Sequence, residues 1–174
     1  MNQNTSANTM DVAIIGLMSA LVFVGTYFFK IPSAFGYTHL GDCMIILTVC
    51  LFGTQRGVLA GAIGAGFSDF IGGYAVWVIP TMVIKGLWAL TAGFVMYRVL
   101  PNHKYSWLIG SIAGAIVHII GYTLVKIPLY GMAVAVGEIF TLTCQSAAGV
   151  ILGGAAYTVL SRSPAIRSLR AKLV

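Results

Sequence analysis

Three features of this chain predict an all-α integral membrane protein, a six-transmembrane-helix bundle with extracellular capping loops. Of its 174 residues 59% are hydrophobic and only 8% are charged. Its mean hydropathy is +0.94. Soluble domains carry about 25% charged residues, so this chain has too few to coat a surface in water. Its apolar residues fall into long runs divided by short connections with Gly, Pro and polar residues. At about 20 apolar residues per crossing of a roughly 30 Å core, there is room for about six spans in one domain. Residues 1–174 therefore read as a single membrane domain, with a polar tail at 1–10 and a basic tail at 161–174.

The first span is expected from about Asp11 to Phe29, where Lys30 and Pro32 end it. The residues before it hold no basic group, unlike the start of a secretory signal, so the span reads as permanent. Ala13, Gly16 and Ala20 line up on it at small-residue spacing that lets another helix approach closely, either within the bundle or from a partner. The second span, about Leu40 to Gly53, is short and follows a connection containing Gly36, Tyr37, His39 and Gly41, with Asp42 at its mouth. An ionisable residue at or inside a span costs roughly 2.5–3.5 kcal/mol, so it marks a functional position by default.

The third span is rich in Gly and Ala and ends near Asp69, Gly72, Gly73, Tyr74 and Trp77. Pro80 opens the fourth, which carries Lys85 within apolar sequence. The fifth, Trp107 to about Val125, places Gly110, Gly114, His118 and Tyr122 on one face. Lys126, Pro128, Tyr130 and Gly131 lead into an expected third loop, and the sixth span starts near Glu138. In the tail, Ser163 and Pro164 start a short helix whose Ile166, Leu169 and Leu173 oppose Arg167 and Arg170. Such a helix fits a position on an anionic leaflet and equally a role in topology control alone.

Arg56, Arg98, Lys104, Arg162, Arg167, Arg170 and Lys172 fall on the side of both termini, against Lys30, Lys85 and Lys126 on the other. Basic loops stay inside, so both termini are expected in the cytoplasm of a multi-pass plasma-membrane protein. The Gly- and aromatic-rich loops then lie outside. His39, Asp42, Asp69, Tyr74, Trp77, Lys85, Lys126 and Glu138 share that outer half, with His118 and Tyr122 deeper. Asp42 or Asp69 pairing with Lys85 would make burial tolerable, whereas the aromatics around them fit a pocket for a small, flat, polar ligand. His118 fits either a hydrogen-bonded core histidine or a ligand contact. Cys43, Cys50 and Cys144 lack metal-type spacing and read as small apolar fillers. The sequence contains no phosphate-binding glycine loop, H-E-x-x-H or G-x-S-x-G. Neither a catalytic set, a metal nor a cofactor is expected. Scattered basic residues argue against nucleic acid as a partner.

The run Ile31-Pro32 … Gly36-Tyr37-Thr38-His39-Leu40-Gly41-Asp42, with Asp69 … Gly72-Gly73-Tyr74 and Lys85-Gly86-Leu87, resembles the substrate-binding S component of an energy-coupling factor (ECF) vitamin transporter. The likeness covers roughly residues 11–160 and is nearest the riboflavin-, pyridoxine- and hydroxymethylpyrimidine-type group. It implies six helices, an extracellular vitamin site under the first loop, and docking on a membrane T component with two cytoplasmic ABC ATPases. Members dock through A-x-x-x-A on the first helix; Gly16-x-x-x-Ala20 is the nearest match here. The ligand set expected from these readings is Tyr37, His39, Asp42, Asp69, Tyr74, Trp77, Lys85, His118, Tyr122 and Glu138, with Ala13, Gly16 and Ala20 for docking. Pyridoxine or hydroxymethylpyrimidine is favoured, ahead of pantothenate or riboflavin. A stand-alone secondary transporter is the alternative from another class, although no internal repeat is evident.

Overall fold

The computed structural model describes residues 3–33 and 36–173, with residues 3–8, 32, 33, 36 and 37 described by backbone alone. Helices dominate: α1 (Gln3–Tyr27), α2 (Asp42–Phe52), α3 (Thr54–Ile71), α4 (Val78–Phe94), α5 (Ser106–Tyr130), α6 (Met132–Gly137), α7 (Ile139–Leu160) and α8 (Pro164–Ala171). A 3₁₀ turn, Ala75–Trp77, precedes α4, and a π turn, Val95–Val99, extends it. Four stretches are long and apolar enough to cross a membrane: Thr9–Tyr27, Ala75–Val99, Ser106–Tyr130 and Met132–Leu160.

The remaining two expected spans differ in kind. With 11 residues, α2 rises only about 16 Å, half a hydrocarbon core. It is buried from Ile45 through Phe52, so it is a central element wrapped by its neighbours. The helix α3 is longer but weakly apolar, because glycine and alanine fill its packed faces against α1 and α4.

Two expectations are corrected. The connection after the first span is not a plain loop but a short hairpin, β1 (Lys30–Ser33) pairing antiparallel with β2 (Gly36–His39), in an otherwise all-helical protein. Lys30 faces His39 in the register, which ties the exit of α1 to the entry of α2. The expected loop at 126–131 is helical: α5 continues through Pro128 to Tyr130. Helices in a bilayer tolerate proline where neighbours satisfy the freed groups. The break comes instead at Gly131, whose φ of 87° an L-residue with a side chain rarely adopts. The short α6 lies between Gly131 and α7, which begins where the sixth span is expected to start.

Packing is close where α7 meets α2. A Cβ on Gly149 would lie 2.9 Å from Asp42 Cβ, so glycine is what lets α7 approach the start of α2. One core cluster joins Val22, Ile45, Val49, Trp88, Ala92 and Met96 through the middle of the bundle. A second, around Ile14, Met18, Leu51 and Phe52, lies toward the end where both termini emerge. Ile166, Leu169 and Leu173 of α8 pack on this second cluster, so the tail's apolar face is covered by the protein, not by a leaflet. Leu17, Phe67, Ile116 and Phe140 are among the large apolar side chains left facing outward, as lipid contact requires.

Candidate functional site

Asp42 opens α2, where it sits among the first-turn N–H groups that favour a carboxylate. It is fully buried and needs partners. Lys85, also fully buried on α4, supplies one at 2.5 Å between Nζ and Oδ1. Gln145 of α7 donates from Nε2 to the other carboxylate oxygen at 2.6 Å. The Lys85 ammonium also donates to His118 Nε2 at 3.1 Å. An ammonium carries only donors, so His118 accepts there, and its Nδ1–H is left to donate to Ser146 Oγ at 2.8 Å. The imidazole stacks on Trp88, with centroids 4.6 Å apart and planes 15° apart. Four helices are thereby locked around one buried charge pair.

A cavity of about 60 Å³ lies above this network, between the hairpin, α3, α4, α5 and α7. His39, Asp69, Tyr74, Trp77, Thr81, His118, Tyr122, Lys126, Leu142 and Gln145 line it. Trp77 stacks over Tyr122 at 5.6 Å and Tyr130 at 6.1 Å, and its Nε1–H donates to the Tyr130 hydroxyl at 3.0 Å. Tyr122 donates to Thr81 Oγ1 at 3.0 Å. His39 accepts the Gly41 N–H at Nδ1, 3.2 Å away, and its Nε2 faces the Gln145 amide at 3.3 Å. Burial drives the His39 pKa down to about 4, against the pull of Asp42 and with help from Lys85, so the ring is neutral near pH 7. Among the described residues, no three His, Cys, Asp or Glu side chains converge as a metal set.

Of the ten residues expected at a ligand, six line the cavity: His39, Asp69, Tyr74, Trp77, His118 and Tyr122. Asp42 and Lys85 do not; they lie sealed behind His118 and Gln145, and burial there is tolerable because each charge is met by the other and by those two side chains. Glu138 is outside the lining too, drawn into an ion pair with Lys126 across the α5–α7 junction. The side chain of Tyr37 lies outside the described residues. Trp77 and His39 are buried. The expected ligand set does not contain Thr81, Lys126, Leu142 or Gln145, of which only Lys126 is placed by the sequence in the outer half. Thr81 stands four residues before Lys85, and Gln145 four before Gly149, so each lies on the inward face of its helix. That spacing was the available signal.

Ala13, Gly16 and Ala20 are exposed on α1, and a Cβ built on Gly16 would meet nothing within 4 Å. Internal packing therefore does not account for this small-residue face.

Membrane-length helices around a polar, aromatic-lined cavity define a multi-pass membrane protein with a small-molecule site. The family model described as "ECF-type riboflavin transporter, S component" matches residues 6–162. The chain belongs to that family, which makes it a transport subunit of ECF-type vitamin uptake. An "Uncharacterized protein in gap 3'region" of Pyrococcus woesei is 36% identical over 132 residues, 76% of this chain and 87% of that protein. The "Thiamine precursor transporter HmpT" of Lactococcus lactis subsp. cremoris is 25% identical over 166 residues, 94% of this chain and 95% of that one. A solved structure, "Structure and mechanism of the S component of a bacterial ECF transporter", superposes with a TM-score of 0.73 at 21% identity. It covers 88% of this chain and 96% of that one, and at this identity the likeness speaks for the fold.

Proposed function

We propose that this S component captures a single-ring nitrogen heterocycle with hydroxyl or hydroxymethyl groups, hydroxymethylpyrimidine or pyridoxine, from outside the cell. The size and lining of the cavity carry this reading. At about 10–15 Å³ per water centre, a cavity of about 60 Å³ has room for about four to six waters, roughly one substituted six-membered ring. Trp77 and Tyr122 offer aromatic faces, while Asp69, Thr81, Lys126 and Gln145 bring hydrogen-bonding groups to its edges. The name of the Lactococcus lactis relative, a thiamine precursor transporter, supports the same ligand class. Riboflavin is the second reading, favoured by the family's description. Its three fused rings and ribityl chain would require the hairpin and the Trp77 turn to move apart.

In this reading the chain passes the plasma membrane six times, with the short α2 enclosed by its neighbours rather than spanning the core by itself. Both termini are cytoplasmic, and the cavity faces out beneath the hairpin, which acts as its lid. Asp42 and Lys85 act through His118 and Gln145, holding those side chains toward the ligand. The exposed face of Ala13, Gly16 and Ala20 docks on a membrane T component driven by two cytoplasmic ABC ATPases. Native mass spectrometry of gently extracted protein tests the proposal. The expected result is a bound mass of hydroxymethylpyrimidine or pyridoxine and co-purifying ATPases. A riboflavin mass would favour the second reading, and neither vitamin nor ATPases would favour a stand-alone transporter.

A further inference from the structure

A second cavity, of about 210 Å³, lies at the opposite end of the bundle, where α2 gives way to α3 and α8 folds back. Arg56 and Arg170 both line it, alongside the apolar Leu51, Phe52 and Leu173. Arg56 is held rigidly: Nε and Nη2 donate to Asp11 Oδ1 at 3.0 and 2.6 Å, and Nη1 donates to the Phe52 carbonyl at 2.6 Å. The π turn brings Tyr97 to the same wall, where its hydroxyl donates to the Val49 carbonyl at 2.7 Å. These two side chains take up the carbonyls that end α2, so the cavity floor is built and satisfied. Arg170 differs. It is half-buried and, among the described residues, has no ion-pair partner. Two guanidiniums against the single carboxylate of Asp11 leave one positive charge in a cleft whose other walls are apolar.

We propose that this cavity binds the phosphodiester headgroup of an anionic phospholipid, with Arg170 and the outer edge of Arg56 on the phosphate. The chemistry is matched on both sides: a guanidinium fork suits phosphate oxygens, and one net positive charge meets one negative charge. The apolar walls at Leu51, Phe52 and Leu173 then accept the glycerol and first acyl carbons. The cavity sits at the ends of apolar helices, the depth at which headgroup phosphates lie. A bound lipid would tie α8 to the α2–α3 corner and hold the basic end of the bundle at its leaflet.

The full chain is placed in nanodiscs of phosphatidylcholine containing a graded fraction of phosphatidylglycerol, and lipid retained after detergent extraction is counted by native mass spectrometry. Wild type should keep one phosphatidylglycerol in preference to phosphatidylcholine. Arg170→Gln should weaken that retention about fivefold, the size expected for one basic residue at an anionic surface. Arg167→Gln removes the same charge from the neighbouring turn of α8, outside the cavity, and should change little. Equal losses in the two variants would reduce the effect to surface charge and overturn the site. Occupancy by inorganic phosphate or glycerol phosphate at millimolar concentration, displacing the lipid, would assign the cavity to a free anion instead and overturn the lipid. Vitamin binding should be unchanged in both variants, so this proposal and the vitamin reading fail separately.

Discussion

Lys85→Met is the substitution whose consequence follows most directly from the structure. Lys85 is fully buried, 2.5 Å from Asp42 and 3.1 Å from His118. Methionine matches its length and removes its charge. The Asp42 carboxylate would then keep the Gln145 amide at 2.6 Å and lose its only close counter-charge among the described residues. Breaking a buried pair from one side costs roughly 3–5 kcal/mol, a large part of a typical total stability of about 5–15 kcal/mol. Removing both charges costs much less, because no ion is left stranded. The double variant Asp42→Asn with Lys85→Met should recover most of the loss, ending within about 2 kcal/mol of wild type, since Asn still offers a carbonyl to Gln145. Reversible unfolding in mixed micelles, followed by tryptophan fluorescence, measures all three proteins. Because neither residue lines the cavity, the double variant should also bind ligand within about tenfold of wild type, a change of about 1.4 kcal/mol. A single variant costing under about 1 kcal/mol, or a double variant as damaged as the two singles summed, would refute the reasoning.

Gly16→Leu should abolish vitamin uptake in cells while leaving binding by the purified chain intact, because the position is exposed and empty around its Cβ; normal uptake would return this face to lipid contact. The hairpin at 30–39 should gain hydrogen-exchange protection when ligand binds, and unchanged protection with bound ligand would remove its role as a lid. Acid should destabilise the protein through His39, whose folded pKa of about 4 lies below its unfolded value of about 6.5. Between those values the unfolded chain binds more protons, so stability is full above pH 6.5 and falls as pH drops toward 4, by up to about 3 kcal/mol. His39→Gln should flatten that window, and an unflattened profile would place the titration elsewhere.

Much of this arrangement was legible because burial makes charge conspicuous. Lys85 inside an apolar run, and Asp42 at the mouth of another, are expensive unless paired, and the structure pairs them. Sequence alone left Asp42 and Asp69 as equal partners, since depth along a helix does not say which neighbour it meets. It also placed the pair in the cavity wall, whereas close packing at Gly149 seals it behind Gln145. Gln145 carries no charge and sits among threonines, so hydropathy gives it no mark although it touches Asp42 and borders the cavity. Glu138 is expected at the ligand as one of the ionisable groups of the outer half. Once α5 continues through Pro128, Lys126 reaches Glu138 and binds it. The hairpin escaped notice because its strands are four residues each and carry the Pro and Gly that ordinarily signal a turn.

Titrating the purified chain with hydroxymethylpyrimidine, pyridoxine and riboflavin, followed by Trp77-dependent fluorescence, is the most direct test of a single-ring site beneath Trp77. The expected outcome is saturable one-to-one binding of a single-ring compound, far tighter than riboflavin. Trp77→Phe keeps most of the ring's volume and loses its bond to Tyr130, so it should weaken that binding about three- to tenfold with folding retained. Binding of riboflavin alone, or single-ring binding untouched in Trp77→Phe, would contradict it.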